Sequence, residues 1–194
     1  MTAPAIGVFL PTMSERGRRT DAALAVLADL IAGKPAEVEG TAVQLAPGAA
    51  VPPIIVGGMS DAALARAVDR GDSWFTLPLP PQALTPAIDR LAELTAERGR
   101  AVPGITGSVV AAIEGDPARP VGPDLTRRLT DPDGVYGMPP EAVSDMVVTG
   151  GPAAVAERIA AFADLGAERV VLSLATGDWM RQAELAAEAV ALLD

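Results

Sequence analysis

The sequence predicts an α/β fold in which short aliphatic strands alternate with amphipathic helices. Three observations point to it. Hydrophobic residues make up 49% of the chain but aromatic residues only 3%, so the core is built from Ala, Val, Leu and Ile. The shorter apolar runs are continuous, as in parallel strands that are buried on both faces. Between them, apolar residues recur at helical spacing, and strand followed by helix is the pattern of a parallel sheet.

The first predicted elements are a strand and a helix. Ile6–Leu10 is a continuous apolar run that ends at Pro11, and proline cannot continue a strand ladder. Residues 12–19 are polar and are expected to form a connection. A helix is then predicted to open at Thr20–Asp21, because apolar residues follow at helical spacing, and to end at Gly33.

A hairpin and a second strand–helix pair follow. Short extended pieces around Val38 and Val43–Leu45 predict a small hairpin insertion at about 36–46, outside the main sheet. After a proline-rich link, Ile54–Val56 is the next strand. Asp61–Arg70 is predicted to be a helix because its apolar residues lie on one face.

The central part of the chain contains two more strands and a long irregular stretch. Trp74–Leu77 is predicted as a strand that ends at a group of prolines, and Gln82–Arg98 as a helix with one apolar face. Ser108–Ile113 is the next strand. Residues 114–140 are rich in Asp, Pro, Gly and Arg and are expected to form a loop with a short helix at Leu125–Leu129.

The last part of the chain returns to the strand–helix pattern. A helix is predicted to begin with Pro152 in its first turn and to be capped at Gly166. Val170–Leu174 is the fifth predicted core strand, and Asp178 is expected to cap a terminal helix. At this length, a single domain over 1–194 is expected.

The charge balance and the missing residue types narrow the classes of function. The formal net charge is −10 and Lys34 is the single lysine, so no nucleic acid partner is expected. The chain has neither cysteine nor histidine, which excludes thiol catalysis, a Ser-His-Asp triad and thiolate or imidazole metal sites. No metal site and no membrane segment is expected, and a cytoplasmic, bacterial protein is inferred from the composition.

The turn Gly57-Gly58-Met59-Ser60 is the strongest candidate binding feature. Two glycines permit backbone conformations that other residues resist and let a ligand approach the amides. Ser60 stands at the N-cap position of the following helix, with Asp61 behind it. A helix N-terminus presents unpaired N–H groups and positive potential, which suit a phosphate. An ordinary capped turn without a ligand is the alternative.

Three blocks of sequence carry a wider pattern. They are ERGRRTDAAL (15–24) with VEG (38–40), PPIIVGGMS (52–60) running to GDSWF (71–75), and TGGPAAVAER (149–158) followed by VVLS (170–173) and GDW (177–179). In order and spacing, these blocks resemble the luciferase-like oxidoreductases that depend on a flavin or on the deazaflavin F420.

The resemblance implies a TIM-barrel-derived (β/α) fold, with cofactor and substrate at the carboxyl ends of the strands. A closed barrel has eight strands, whereas about five core strands are predicted here. The first block already matches the helix after the family's fourth strand, so about three strand–helix units are absent between Pro11 and Glu15. Such an incomplete sheet has open edges, and a homodimer through these edges, or a smaller closed sheet, is expected.

The resemblance also suggests candidate pocket residues. Trp74 and Phe75 are favoured as core residues over a stacking platform, and Asp72 is favoured as the cap of a strand turn over a residue that orients a ligand. Tyr136 has carboxylates near it in sequence and would serve as a proton donor or orienter, although a loop aromatic covering the core is favoured. The aspartates of this loop do not have the spacing of a Ca²⁺ loop. The candidate pocket-lining residues are Leu10, Trp74, Thr106, Tyr136 and Ser173.

The function implied by the resemblance is a shortened oxidoreductase or monooxygenase that binds F420 or FMN and transfers a hydride to or from a small organic substrate. The cofactor phosphate is expected at Gly57, Gly58, Met59 and Ser60. The alternative is a degenerate member that has lost the cofactor and acts as a cofactor-free isomerase or cyclase, or as a small-molecule-binding protein. A third reading is a structural partner of a full-length paralogue.

Overall fold

The structure is a computed structural model that describes residues 15–115, 121–134 and 136–193. It divides into two compact units. The first unit contains the described residues of Met1–Trp74 together with Arg90–Pro103. The second contains those of Phe75–Asp89 and Gly104–Asp194. Each unit is therefore assembled from two separate stretches of the chain.

The first unit contains helices, short strands and one hairpin. In chain order its elements are α1 (Glu15–Ile31), β1 (Ala36–Val38), β2 (Thr41–Val43), β3 (Ile55–Gly57), α2 (Asp61–Arg70), β4 (Ser73–Phe75, whose last residue falls in the second unit) and the second part of α3 (Thr85–Arg98).

Among the described residues, the second unit contains three whole strands, four whole helices, a 3₁₀ turn and the first part of another helix. In chain order its elements are a 3₁₀ turn (Pro81–Leu84), the first part of α3, β5 (Gly104–Ile113), α4 (Gly122–Thr130), α5 (Pro140–Met146), β6 (Val147–Gly150), α6 (Pro152–Asp164), β7 (Ala167–Leu174) and α7 (Trp179–Val190).

The core of the first unit lies under helix α2. Its apolar residues at helical spacing are buried and the helix packs against β3. Trp74, at 0% exposure, is the largest buried side chain of this unit. The carboxylate of Asp72 accepts a hydrogen bond from the backbone N–H of Ile54 at 2.7 Å and so joins the starts of β3 and β4. This is the turn role favoured for Asp72 from the sequence.

The core of the second unit is organised around β5. Strand β6 pairs with it in parallel from Val110↔Val147 to Ile113↔Gly150, and β7 pairs with it in parallel from Ile105↔Ala167 to Ala111↔Leu174. Parallel neighbours require crossover connections, which α6 and the preceding helices supply. Phe162 of α6 lies so close to the strand that a Cβ at Gly107 would meet its ring at 2.6 Å.

The α/β architecture with parallel strands is confirmed. The described residues contain five strands outside the hairpin, two in the first unit and three in the second. The predicted hairpin is present as the antiparallel pair β1 and β2, with Ala36 opposite Val43. The helical caps expected at Ser60 and Asp178 are also present. The predicted strand Ile6–Leu10 lies outside the described residues.

Several predicted boundaries were wrong. The first helix begins at Glu15 rather than at Thr20, because arginine and glutamate are good helix formers even where no apolar residue marks the face. The strand predicted at Trp74–Leu77 is Ser73–Phe75. The helix predicted from Gln82 begins at Thr85, after a 3₁₀ turn that starts at Pro81.

Two elements were missed and one was underestimated. Strand β6 and helix α5 were not predicted, since only two valines mark the strand and the helix has seven residues. The short helix expected at Leu125–Leu129 extends over Gly122–Thr130. The irregular stretch is thus partly helical, with Leu125 and Val143 packed in a small cluster with Ala112 and Val147.

Candidate functional site

The turn after β3 adopts a conformation that requires glycine. Gly58 has a φ of +119°, where side-chain-bearing residues are rarely found. A Cβ added to Gly58 would lie 2.8 Å from the Cβ of Ala63 on helix α2, which is closer than real Cβ contacts. The backbone conformation and the close approach of the helix therefore both depend on this residue.

Trp74 fixes the same turn from the neighbouring strand. Its indole N–H donates a hydrogen bond of 2.8 Å to the carbonyl oxygen of Gly58. Because the N–H and C=O of a trans peptide point in opposite directions, the N–H of Met59 is directed away from the indole. The buried indole matches the core role favoured from the sequence. It also holds the peptide that opens the turn in one orientation.

Ser60 caps helix α2, as predicted. Its backbone is extended (φ −74°, ψ 153°), and its hydroxyl accepts from the N–H of Ala63 at 3.3 Å. The carbonyl of Ser60 accepts from the N–H groups of Ala63 and Leu64. Within the described part of the chain, the N–H groups at positions 59–62 have no acceptor. Four consecutive amides are thus available to an anion at the start of α2.

A carboxylate in the first turn of α2 would compete with such an anion, but it is neutralised. Asp61 accepts two hydrogen bonds from Arg90, at 2.9 Å from Nε and 3.0 Å from Nη2. This pairing holds the pKa of Asp61 below its ordinary value and raises that of Arg90. The positive end of the helix dipole is therefore not cancelled by the acidic residue beside it.

Glu114 was not singled out from the sequence, although it occupies the carboxyl end of β5. Its carboxylate accepts hydrogen bonds from the N–H groups of Val121 at 3.2 Å and Gly122 at 2.8 Å, at the start of α4. Its own N–H donates to the carbonyl of Gly150 at 2.8 Å. A carboxylate directly after a buried strand and a few residues before a helix is the sequence signal that would have found it.

Gln182 was missed as well and ties the terminal helix to the same strand end. The side chain is 3% exposed. Its amide nitrogen donates to the carbonyl of Ile113 at 2.7 Å, and its amide oxygen accepts from the N–H of Ile113 at 2.9 Å. The signal lay in the sequence, because Gln182 precedes Leu185 and Ala189 on the buried stripe of α7.

The other predicted residues are placed as follows. Thr106 is buried on β5, and its carbonyl accepts from the N–H of Thr76 at 3.0 Å. Ser173 lies exposed on β7, opposite Val110. Tyr136 is 67% exposed in its loop. Leu10 lies outside the described residues. The first unit brings Gly57, Gly58, Met59 and Ser60 together with Trp74, whereas Thr106, Ser173 and Tyr136 belong to the second unit.

Neither a membrane helix nor a cluster of metal ligands is found where the chain is described. No helix there has both the length and the apolar character needed to cross a bilayer. The same residues contain no group of three or more acidic side chains arranged to hold a metal ion.

Three solved structures have the same fold at low sequence identity. An F420-dependent secondary alcohol dehydrogenase in complex with an F420-acetone adduct aligns with a TM-score of 0.73 and 15% identity over 95% of this chain and 64% of that one. A coenzyme F420-dependent tetrahydromethanopterin reductase from Methanopyrus kandleri aligns with a TM-score of 0.63 and 14% identity over 92% and 63%. An EDTA monooxygenase from Chelativorans sp. BNC1 gives 0.65 and 16% over 92% and 59%.

These proteins have TIM-barrel folds, so the TIM-barrel-derived class predicted from the sequence is confirmed. The chain spans only about six tenths of their length. The family model of the luciferase-like monooxygenases matches residues 3–119. Since this match covers more than half of the sequence, the chain belongs to the luciferase-like monooxygenase family.

Proposed function

We propose that this protein is a shortened luciferase-like oxidoreductase that binds F420 or FMN and transfers a hydride to or from a small organic substrate. The observation that carries the proposal is the turn at Gly57–Ser60, where four successive backbone amides have no acceptor among the described residues. Two similar structures are named as F420-dependent enzymes, which supports the same cofactor class.

The residues of the turn fit a phosphate group. Gly58 has no Cβ to block the approach of a ligand, and the N–H groups of Met59 and Ser60 precede the positive end of α2. The Arg90 guanidinium neutralises Asp61, which removes the nearest repulsive charge. The cofactor would supply the hydride chemistry, and the protein would supply anchoring and orientation.

The proposal is tested by titrating the purified chain with F420 and, separately, with FMN while recording cofactor fluorescence. We expect saturable binding of one of them at about 100 µM or tighter. Gly58→Ala is expected to weaken binding at least tenfold, because its new methyl group would meet Ala63 at 2.8 Å and disturb the turn. Inorganic phosphate is expected to compete with the cofactor.

Gly40→Ala is the matched control. Gly40 also has a positive φ, +78°, but a Cβ there meets nothing within 4 Å, and the residue lies in the hairpin turn. Gly40→Ala should destabilise the backbone of the hairpin turn without changing the affinity for the cofactor. If neither cofactor binds, or if both alanine variants weaken binding equally, the turn is not a phosphate site and the proposal fails.

A second candidate function is that of a family member without redox activity. The observation that favours it is the length, since the chain spans only 59% to 64% of the similar structures named above. Such a protein would keep a small-molecule pocket for cofactor-free isomerase or cyclase chemistry, or would act as a partner of a longer paralogue. The absence of binding to both F420 and FMN would support this reading over the first.

We also propose that the chain forms a homodimer through a sheet edge. Among the described residues, β7 pairs with a strand on one side only, β5, and an unpaired edge is a template for another chain. Light scattering over a range of concentrations tests this. A mass of twice 19.7 kDa is expected, and a monomer at all concentrations would contradict it.

A further inference from the structure

A cleft of about 390 Å³ opens on the second unit. It lies between strand β6, helix α6 and the segment Pro80–Gln82 that follows β4. Its apolar lining comes from Pro80 and Pro81, from Val148 of β6 and from Ala154 and Ala161 of α6. The volume is within the range of small-molecule sites, which combine apolar walls with a few convergent polar groups. All of its lining residues belong to one unit.

The most unusual residue of this cleft is Arg158. It is half-buried on α6, and within the described part of the chain it has neither a hydrogen bond nor an ion pair. Other described arginines that are partly buried, Arg66, Arg90 and Arg98, each hold a carboxylate. No side-chain nitrogen of a described residue is both fully buried and without a hydrogen bond, so the guanidinium of Arg158, a residue that lines the cleft, reaches solvent.

Holding a guanidinium in this way costs free energy. Burial lowers the pKa of Arg158, and only the nearby charge of Asp145 opposes this shift. A partly desolvated charge without an ion pair is destabilising, and proteins normally satisfy such groups. A ligand that supplies a carboxylate to the cleft would offset the cost, because the planar fork of arginine binds carboxylates through two hydrogen bonds.

Neutral hydrogen-bonding groups converge on the same cleft. Ser144 and Gln82 line it, and neither side chain hydrogen-bonds to another described residue. They come from helix α5 and the 3₁₀ turn. Two separate elements thus place hydrogen-bonding groups without a described partner around the cleft that Arg158 lines.

The charges around Arg158 decide which anion fits. Glu157 lines the cleft and Asp145 acts on the guanidinium, so one positive charge is accompanied by two negative ones. These two carboxylates repel a dianionic phosphate about twice as strongly as a carboxylate, which carries a single charge. The prolines, Val148 and the two alanines of α6 favour a ligand with an apolar portion.

We infer that the cleft at Arg158 is a binding site for a small organic monocarboxylate. Arg158 binds the carboxylate, Ser144 and Gln82 complete its hydrogen bonds, and Pro80, Pro81 and Val148 contact the apolar portion. The inference does not depend on the proposed cofactor function, because the Gly57–Ser60 turn contributes nothing to this cleft.

An NMR titration of the full ¹⁵N-labelled chain with sodium hexanoate at constant ionic strength tests the inference. We expect saturable shifts at 147–149 and at the side-chain N–H of Arg158, with a Kd of about 1 to 10 mM for a ligand of this size. Neutral hexanamide should give no saturable shift, and hexyl phosphate should bind more weakly than hexanoate. Hexyl phosphate binding as tightly as hexanoate would overturn the choice of a monocarboxylate.

Arg158→Gln is expected to weaken hexanoate binding at least tenfold while Tm stays unchanged or rises, because an unpaired half-buried charge is removed. Arg169→Gln is the matched control, an exposed arginine on β7 that should leave binding unchanged. Ser144→Ala offers a second variant with a small change of volume and should weaken binding several-fold. Wild-type affinity in Arg158→Gln, or a marked fall in its Tm, would show that Arg158 does not serve a ligand.

Discussion

The hydrogen bonds between Gln182 and Ile113 give the most direct test of how the second unit is held together. Gln182→Leu keeps a side chain of similar size but leaves the N–H and C=O of Ile113 without partners. Ile113 is 0% exposed, so water does not replace them. Each unsatisfied buried group costs about 1 to 3 kcal/mol, and leucine recovers part of this through apolar burial. The expected loss is about 2 to 4 kcal/mol.

Urea unfolding followed by circular dichroism measures this loss, and hydrogen exchange at the Ile113 amide locates it. Ala183→Leu, at the exposed neighbouring position of α7, is the control and should change stability by less than about 0.5 kcal/mol. A loss of under about 0.5 kcal/mol in Gln182→Leu, with unchanged exchange at Ile113, would refute the argument, since two orphaned buried groups cannot be that inexpensive.

Three further outcomes are expected in urea unfolding experiments. Ser60→Ala removes the cap of α2 and should lower the free energy of unfolding by about 1 kcal/mol. An unchanged free energy would mean that water replaces the hydroxyl. Trp74→Phe removes the donor to the Gly58 carbonyl from a fully buried site and should lower the free energy of unfolding by about 2 to 4 kcal/mol. A loss of less than about 1 kcal/mol would count against the role of the indole. The hydrogen bond from Arg66 holds the pKa of Asp21 below its ordinary value of 3.8. The stabilisation that this ion pair gives the folded state is therefore present above pH 3.8 and is lost as the pH falls through the lowered pKa. Asp21→Asn should therefore lower the free energy of unfolding by under about 1 kcal/mol near pH 7, since this carboxylate is largely exposed. The difference from the wild type should shrink at about pH 3. An equal difference at both pH values would contradict the role of this ion pair.

The features that local chemistry determines were predictable from the sequence. A glycine pair followed by serine and an apolar helical face predicts the strand, turn and capped helix at 54–70, because each residue type there has one favourable backbone role. The hairpin followed in the same way from the Glu39-Gly40 turn, in which both residues have positive φ. The candidate phosphate turn lies in this locally determined part of the chain.

What depends on distant partners was not predictable. Val147–Gly150 is a strand because β5 lies beside it, and two valines before a glycine pair carry no periodicity of their own. The role of Gln182 depends on a strand residue 69 positions away. Arg158 is unremarkable in sequence, since an arginine on a helix is usually exposed or paired, and only the structure shows that it is half-buried without an ion pair to a described residue.

The division of the chain into two units has a consequence for how the fold can be cut or recombined. The boundary falls after Trp74 within strand β4 and before Arg90 within helix α3, so each unit needs two separate segments. No single stretch of the gene encodes either unit, and a truncated product would lack a part of its own core. Exchange of pieces with longer relatives is therefore expected to fail when a single cut is made at Trp74 or at Arg90, because each unit then loses one of its two segments.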